Sequence, residues 1–209
     1  MVKPVRSFTF LQHIRPRRIP VAALRFGATL CLGGLSFLAF LITVGTGILL
    51  LFHYEPGKQA YISVASMVSL APYGAIIRSL HFWAAQGMVV TVLFHMARVV
   101  WHHAYRPPRE KNWVIGVFLF LLTLILDFSG YLLRGDREGA GAAEIAQSLL
   151  RGLPGGAGLA ALFLGSMELG HGSSLPLYVW HVFILPGVLL VLQLWHFWRV
   201  RRDGGVRAL

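Results

Sequence analysis

Four stretches of the chain are apolar for long enough to cross a hydrocarbon core of about 30 Å, which takes roughly 20 helical residues. They lie near 27–53, 79–104, 114–133 and 179–199. The connection HHAYRPPREKN (102–112) is short and polar, so the second and third spans are expected to be antiparallel neighbours. Residues 134–178 form a longer connection rich in Gly and small apolar residues, in which IAQSLLRGL (145–153) and LAALFLG (159–165) read as short surface helices. Residues 1–25 alternate apolar and basic positions, the pattern of an interfacial helix, with Pro16 and Pro20 breaking it before the first span. The pattern predicts an all-α protein in two parts. Residues 1–26 form an amphipathic segment on the cytoplasmic side, and residues 27–209 form one transmembrane four-helix bundle.

Composition agrees: 56% of residues are hydrophobic, 13% are charged and the mean hydropathy is +0.65. The net charge of +11 changes the picture only through its distribution. The N-terminal tail, the 97–113 loop and the C-terminal tail carry six, four and four Lys or Arg, fourteen of the 19. Lys58, Arg78, Arg134, Arg137 and Arg151 are the five on the other side. That bias places both termini in the cytoplasm of a bacterial inner-membrane protein, or in the organellar equivalent. A nucleic-acid partner would need a basic soluble surface, which this pattern does not provide. No cleavable signal peptide is expected, because the first apolar run starts late and lacks a small-residue cleavage site. One cysteine allows neither an internal disulfide nor a multi-cysteine iron–sulfur site.

The polar exceptions inside the spans carry the chemistry. His81 and His95 lie 14 residues apart on the second span, and His181 and His196 lie 15 apart on the fourth. Both gaps are about four helical turns, or 21–22 Å of rise. A lone intramembrane histidine is ordinarily a structural hydrogen-bonder. Two pairs at matched depths on antiparallel helices point instead to two bis-imidazole haems, His81–His181 near the outer face and His95–His196 near the inner one. His13, His53, His102, His103 and His171 lie at ends or in loops and read as surface residues.

Gly33 and Gly47 on the first span, and Gly116 and Gly130 on the third, repeat the 14-residue gap. Backbone without side chains suits a porphyrin edge wedged into the bundle; ordinary small-residue packing of membrane helices is the alternative. Arg78 precedes His81 by three residues, Arg98 follows His95 by three and Arg201 follows His196 by five. Each suits a haem propionate, although snorkelling arginines need no ligand. Cys31, read from sequence alone, is a buried thiol near the start of a helix. Asp127, an acid within the third span, could take a quinol proton, pair with Arg134, or face water or a partner subunit.

These residues resemble cytochrome b, in the short split form called cytochrome b6. The resemblance rests on CLGG (31–34), TG (46–47), IRSLHFW (77–83), H-x-x-R (95–98), PRE-x-x-W-x-x-G (108–116), SGY (129–131), the second histidine pair with its 15-residue gap, and LP (185–186). Mitochondrial-type cytochromes b use a gap of 14. The resemblance implies an electron-transfer subunit, not catalytic alone, of a bc-type quinol-oxidising complex. Electrons would pass from the outer to the inner haem b and on to an inner quinone site. It also implies a third, c-type haem held by a single thioether bond to Cys31. Implied partners are membrane lipid, quinone, a second cytochrome b-type subunit supplying the remaining helices, iron–sulfur or c-type cytochrome subunits, and a second copy in a homodimeric complex. Two departures stand out. Arg134, Gly135, Asp136 and Arg137 replace the family's usual Pro-Trp and following residues at the outer quinol pocket, and Pro176 stands where an arginine is usual. The 134–137 segment favours an alternative in which the protein is a b-type membrane anchor relaying electrons between quinone and a peripheral oxidoreductase, without bifurcation.

Overall fold

The computed structural model describes residues 31–165 and 174–203. The amphipathic segment expected over residues 1–26, the first residues of the first span, His13 and His171 lie outside the described residues. Seven helices are described: α1 (Leu32–Leu51), α2 (Ala60–Leu70), α3 (Gly74–Trp101), α4 (Glu110–Leu132), α5 (Arg137–Arg151), α6 (Gly156–Phe163) and α7 (Leu175–Asp203). Helices α1, α3, α4 and α7 are long and apolar enough to cross a membrane. Their bounds differ from the sequence expectation at the ends. Helix α3 starts at Gly74 rather than 79, behind Tyr73 in the left-handed region at φ 59°. Helix α7 runs from Leu175 to Asp203 rather than over 179–199. Hydropathy sees the hydrocarbon-depth part of a helix, not the turns that project beyond it.

Helix α1 packs chiefly on α3, and α4 packs on both α7 and α3. Lipid tails are as apolar as Leu, so these contacts rest on close packing and interhelical hydrogen bonds rather than on escape from water. The Ser36 and Thr91 hydroxyls meet at 3.0 Å between α1 and α3. The core lies midway along the bundle and follows from the 14-residue repeat. Phe40 is seven residues from both Gly33 and Gly47, and Met88 is seven from both His81 and His95. Thr123 is seven from both Gly116 and Gly130, and Leu189 precedes His196 by seven. All four midpoint residues are buried, and Phe40, Met88 and Leu189 form one cluster with Leu126 and Leu185. Large apolar side chains such as Leu38, Leu93, Phe118 and Val191 point outwards, as a lipid-facing surface requires.

A second cluster closes one end of the bundle, with Leu132, Leu133, Ala143, Leu164 and Leu177 at its centre. Tyr54 donates to the Leu133 carbonyl at 2.8 Å and stacks on Tyr178 at 5.3 Å. The two short helices expected between 134 and 178 are α5 and α6. Helix α5 begins earlier than its apolar core because the Asp136 carboxylate caps it, accepting from the Gly139 amide at 2.8 Å. Ser174 caps α7 in the same way, and Pro176 sits in the first turn, where its missing amide hydrogen costs nothing. Helix α2 was not expected: its 11 residues are too few to span a membrane, and they lie in the connection between α1 and α3.

Candidate functional site

The four histidines converge as two facing pairs. His81 and His181 have ring centroids 6.5 Å apart, and His95 and His196 are also 6.5 Å apart. That separation would accommodate a metal ion between the rings, with two metal–imidazole bonds of about 2.0–2.1 Å each and a ring radius at either end. Rings hydrogen-bonded directly to each other would sit closer. The two levels are about 21 Å apart along α3, with the Phe40–Met88–Leu189 cluster between them.

The unequal gaps are reconciled by one irregular turn. An α-helix turns about 100° per residue, so 14 residues leave two side chains about 40° apart and 15 leave them about 60° apart on the opposite side. Trp180–Ile184 is a π-helical turn inside α7, and such a turn absorbs one extra residue. It restores to His181 and His196 the register that His81 and His95 have on α3. The cause is in the sequence: Pro186 has no amide hydrogen for the Val182 carbonyl, and its ring would clash there in a regular helix.

Each ring is seated against a glycine. A β-carbon built on Gly33 would lie 3.4 Å from His95 Cε1, on Gly47 3.2 Å from His81 Cε1, on Gly116 3.6 Å from His196 Cε1, and on Gly130 2.9 Å from His181 Cε1. The glycine positions expected to leave room for a porphyrin edge thus face the imidazoles themselves. Backbone carbonyls four residues before three of the glycines, at Thr43, Leu126 and Asn112, face His81, His181 and His196. Among the described residues, side-chain hydroxyls join at one level only. Thr46 Oγ1 lies 3.0 Å from His81 Nδ1, and Ser129 Oγ lies 2.9 Å from His181 Nδ1. Sequence reasoning registered TG and SG as motifs without seeing that the hydroxyl and the glycine serve the same ring.

Arg78 and Arg98 are half-buried on α3, one turn beyond their histidines. Arg201 is exposed. The buried cation beyond His196 is Arg199, three residues on, paired with Asp203 at 2.7 Å; its spacing repeats that of Arg98 from His95. A hollow of about 120 Å³ opens at the His95–His196 level, lined in part by Arg109, Asn112, Trp113 and Gly116. Within it Asn112 Oδ1 is buried with no hydrogen-bond partner among the described residues. The PRE-x-x-W-x-x-G stretch is therefore the wall of that level. Cys31 is exposed and caps α1 at the same end of the bundle, with φ 45°, in place of the buried thiol expected from sequence alone.

Asp127 does not pair with Arg134. It accepts a 2.7 Å hydrogen bond from Gln86 Nε2, linking α4 to α3. Arg134 instead pairs with Asp136 and with Glu138 (3.3 Å), and its guanidinium lies over the Tyr131 ring at 5.0 Å. Within the replaced segment the charges of Arg134 and Asp136 answer each other. His53 and His103 are exposed, and His102 Nδ1 lies 3.0 Å from the Arg98 carbonyl, so these three stay apart from the paired rings.

Residues 21–204 match the family model described as Cytochrome b/b6/petB. The cytochrome b6 of Heliomicrobium gestii is 37% identical over 187 residues, covering 88% of this chain and 88% of that protein. That of Pyropia yezoensis is 36% identical over 176 residues, covering 83% and 82%. Among solved structures, a chain of a hyperthermophilic respiratory Complex III shares the fold with a TM-score of 0.75 at 22% identity, over 95% of this chain and 51% of that one. The present chain thus spans about half the length of that protein.

Proposed function

The chain belongs to the cytochrome b family, and from that premise we propose that it carries electrons across a membrane as the cytochrome b subunit of a bc-type quinol-oxidising complex. The observation that carries this reading is the pair of facing imidazole couples, two levels apart, each ring seated on a glycine. His81 and His181 would ligate an outer haem b, and His95 and His196 an inner one. Arg78 and Arg98 stand where propionates would reach the two ends, Arg109 and Asn112 line the inner level, and Arg201 reaches water beyond it. Bound haem supplies one-electron chemistry over a range of potentials set by its surroundings. The chain's own residues fix the ligand spacing, exclude water with the Phe40–Met88–Leu189 core, and hold the levels apart.

Cys31 lies two residues before Gly33, at the inner end of the bundle, which suits a third haem on a single thioether bond beside an inner quinone site. Quinol would be oxidised at the outer end, with both termini in the cytoplasm and residues 1–26 on that surface. A second cytochrome b-type subunit would add the remaining helices, alongside an iron–sulfur or c-type cytochrome subunit, in a complex that could contain two copies of this chain. The self-paired Arg134–Asp136–Glu138 segment supports a second reading, a relay anchor without bifurcation, because it replaces the residues that usually shape the outer quinol pocket. Sensitivity to outer-site quinol inhibitors separates the two.

Two experiments test the proposal. On a denaturing gel stained for haem peroxidase activity, the purified protein should retain stain and Cys31→Ser should lose it, while both keep the reduced bands of two b haems. Colourless protein from cells with ample haem would overturn the electron-carrier reading, and unstained wild type would remove only the third haem. Deleting Val182 together with Pro186→Ala, which removes the cause of the π turn, should convert it to α-helix and leave two b haems per chain. Inserting one Ala after Val89 turns His81 by about 100° relative to His95 and should cost at least one. The haem-to-protein ratio of each variant decides.

A further inference from the structure

We propose that the Thr46 and Ser129 hydroxyls are positioning residues that fix the tautomer of the outer imidazole pair and lower the potential of the haem it would hold; this rests on the haem ligation proposed above. A hydroxyl has one hydrogen. Thr46 Oγ1 donates its hydrogen to the Ile42 carbonyl at 2.7 Å, and Ser129 Oγ donates to the Leu126 carbonyl at 2.9 Å. With those hydrogens committed, the contacts of 3.0 Å to His81 Nδ1 and 2.9 Å to His181 Nδ1 form only if the imidazoles donate. Both rings are therefore Nδ1–H tautomers, with the Nε2 lone pair left bare for a metal. An acceptor on the far nitrogen also raises the basicity of a ligating imidazole, which favours the more positive state of the iron and lowers its potential.

Among the described residues, no side-chain hydroxyl meets an imidazole at the inner level. The residues preceding Gly33 and Gly116 are Leu32 and Ile115, which carry no hydroxyl. Backbone carbonyls face rings at both levels, so the side-chain acceptors are what distinguishes the outer pair. The resulting bias moves an electron from the outer level towards the inner one.

The test is Thr46→Val, Ser129→Ala and the double variant, each purified with its haems and titrated optically against potential. The outer midpoint should rise in each single variant and further in the double, with the inner midpoint unmoved and Thr46→Ser close to wild type. For the double variant, we expect the electron distribution between the haems to change by about tenfold, which is about 59 mV for a one-electron couple. Equal shifts at both levels, or none, would overturn the proposal. A second arm needs no haem: ¹⁵N spectra of histidine-labelled apoprotein should show Nδ1–H tautomers at His81 and His181, with the His81 signal moving in Thr46→Val. Nε2–H tautomers there would overturn it even if haem binds, whereas a wild type that binds no haem defeats the proposed function and leaves the tautomers to decide the hydrogen bonds.

Discussion

His181→Leu is expected to remove the outer haem and leave the inner one in place, halving the b-haem content and stopping electron passage across the bundle. Each iron would draw its two protein ligands from two helices, so one substitution leaves His81 facing an apolar side chain across a 6.5 Å gap built for two rings. Loss of outer-shell partners of a metal ligand typically costs about 10–100-fold in affinity, and loss of the ligand itself should exceed that. The inner level is shielded from the change. It lies about 21 Å away along α3, with a packed layer of Phe40, Met88 and Leu189 between, and effects at sites that far apart are usually independent. His196→Leu should therefore give the mirror result. The haem-to-protein ratio and the reduced spectrum of each variant check the assignment. If both haems vanish from either variant, or if both persist, the two-level reading is wrong.

The parts of this arrangement legible in the sequence were those with a period. Four apolar runs, two histidine gaps and two glycine gaps all repeat with helical spacing, and helical spacing converts directly into shared faces. The pairing of His81 with His181, and of His95 with His196, follows from antiparallel spans and needed no coordinates. What stayed hidden depends on contacts between helices. Thr46 and Ser129 resemble any membrane-helix hydroxyl until their distances to the rings are known. Arg201 was the expected cation, yet Arg199 has the three-residue spacing that Arg98 has from His95, and burial bears that spacing out, inward for Arg199 and outward for Arg201. The role of Asp127 likewise turned on a partner, Gln86, from another helix. The π turn is an intermediate case: Pro186 and a 15-residue gap announce that something must give, without saying that Trp180–Ile184 is where.

Alanine at the four glycines should have graded effects, falling in the order Gly130, Gly47, Gly33, Gly116. A new methyl at 130 would lie 2.9 Å from His181 Cε1, closer than packed carbons approach, and the ring cannot easily retreat because Ser129 holds it. Overpacking of this kind costs about 1–3 kcal/mol, here concentrated on a ring that would also ligate the proposed haem, so Gly130→Ala should lose most of its outer haem. At 47 the contact is 3.2 Å and at 33 it is 3.4 Å, tight enough to move a ring by tenths of an ångström. At 116 the methyl would meet His196 at 3.6 Å, an ordinary contact, and the swap removes a helix-interior glycine that costs up to about 1 kcal/mol relative to alanine. Gly116→Ala should therefore keep its inner haem and melt no lower than wild type. The series also tells apart two reasons for the glycines. If their purpose is to seat imidazoles, the losses follow these distances; if it is to admit a flat macrocycle edge at every level, Gly116→Ala should fail as badly as Gly130→Ala. Haem occupancy at each level, read from optical titrations of the four variants, gives the answer.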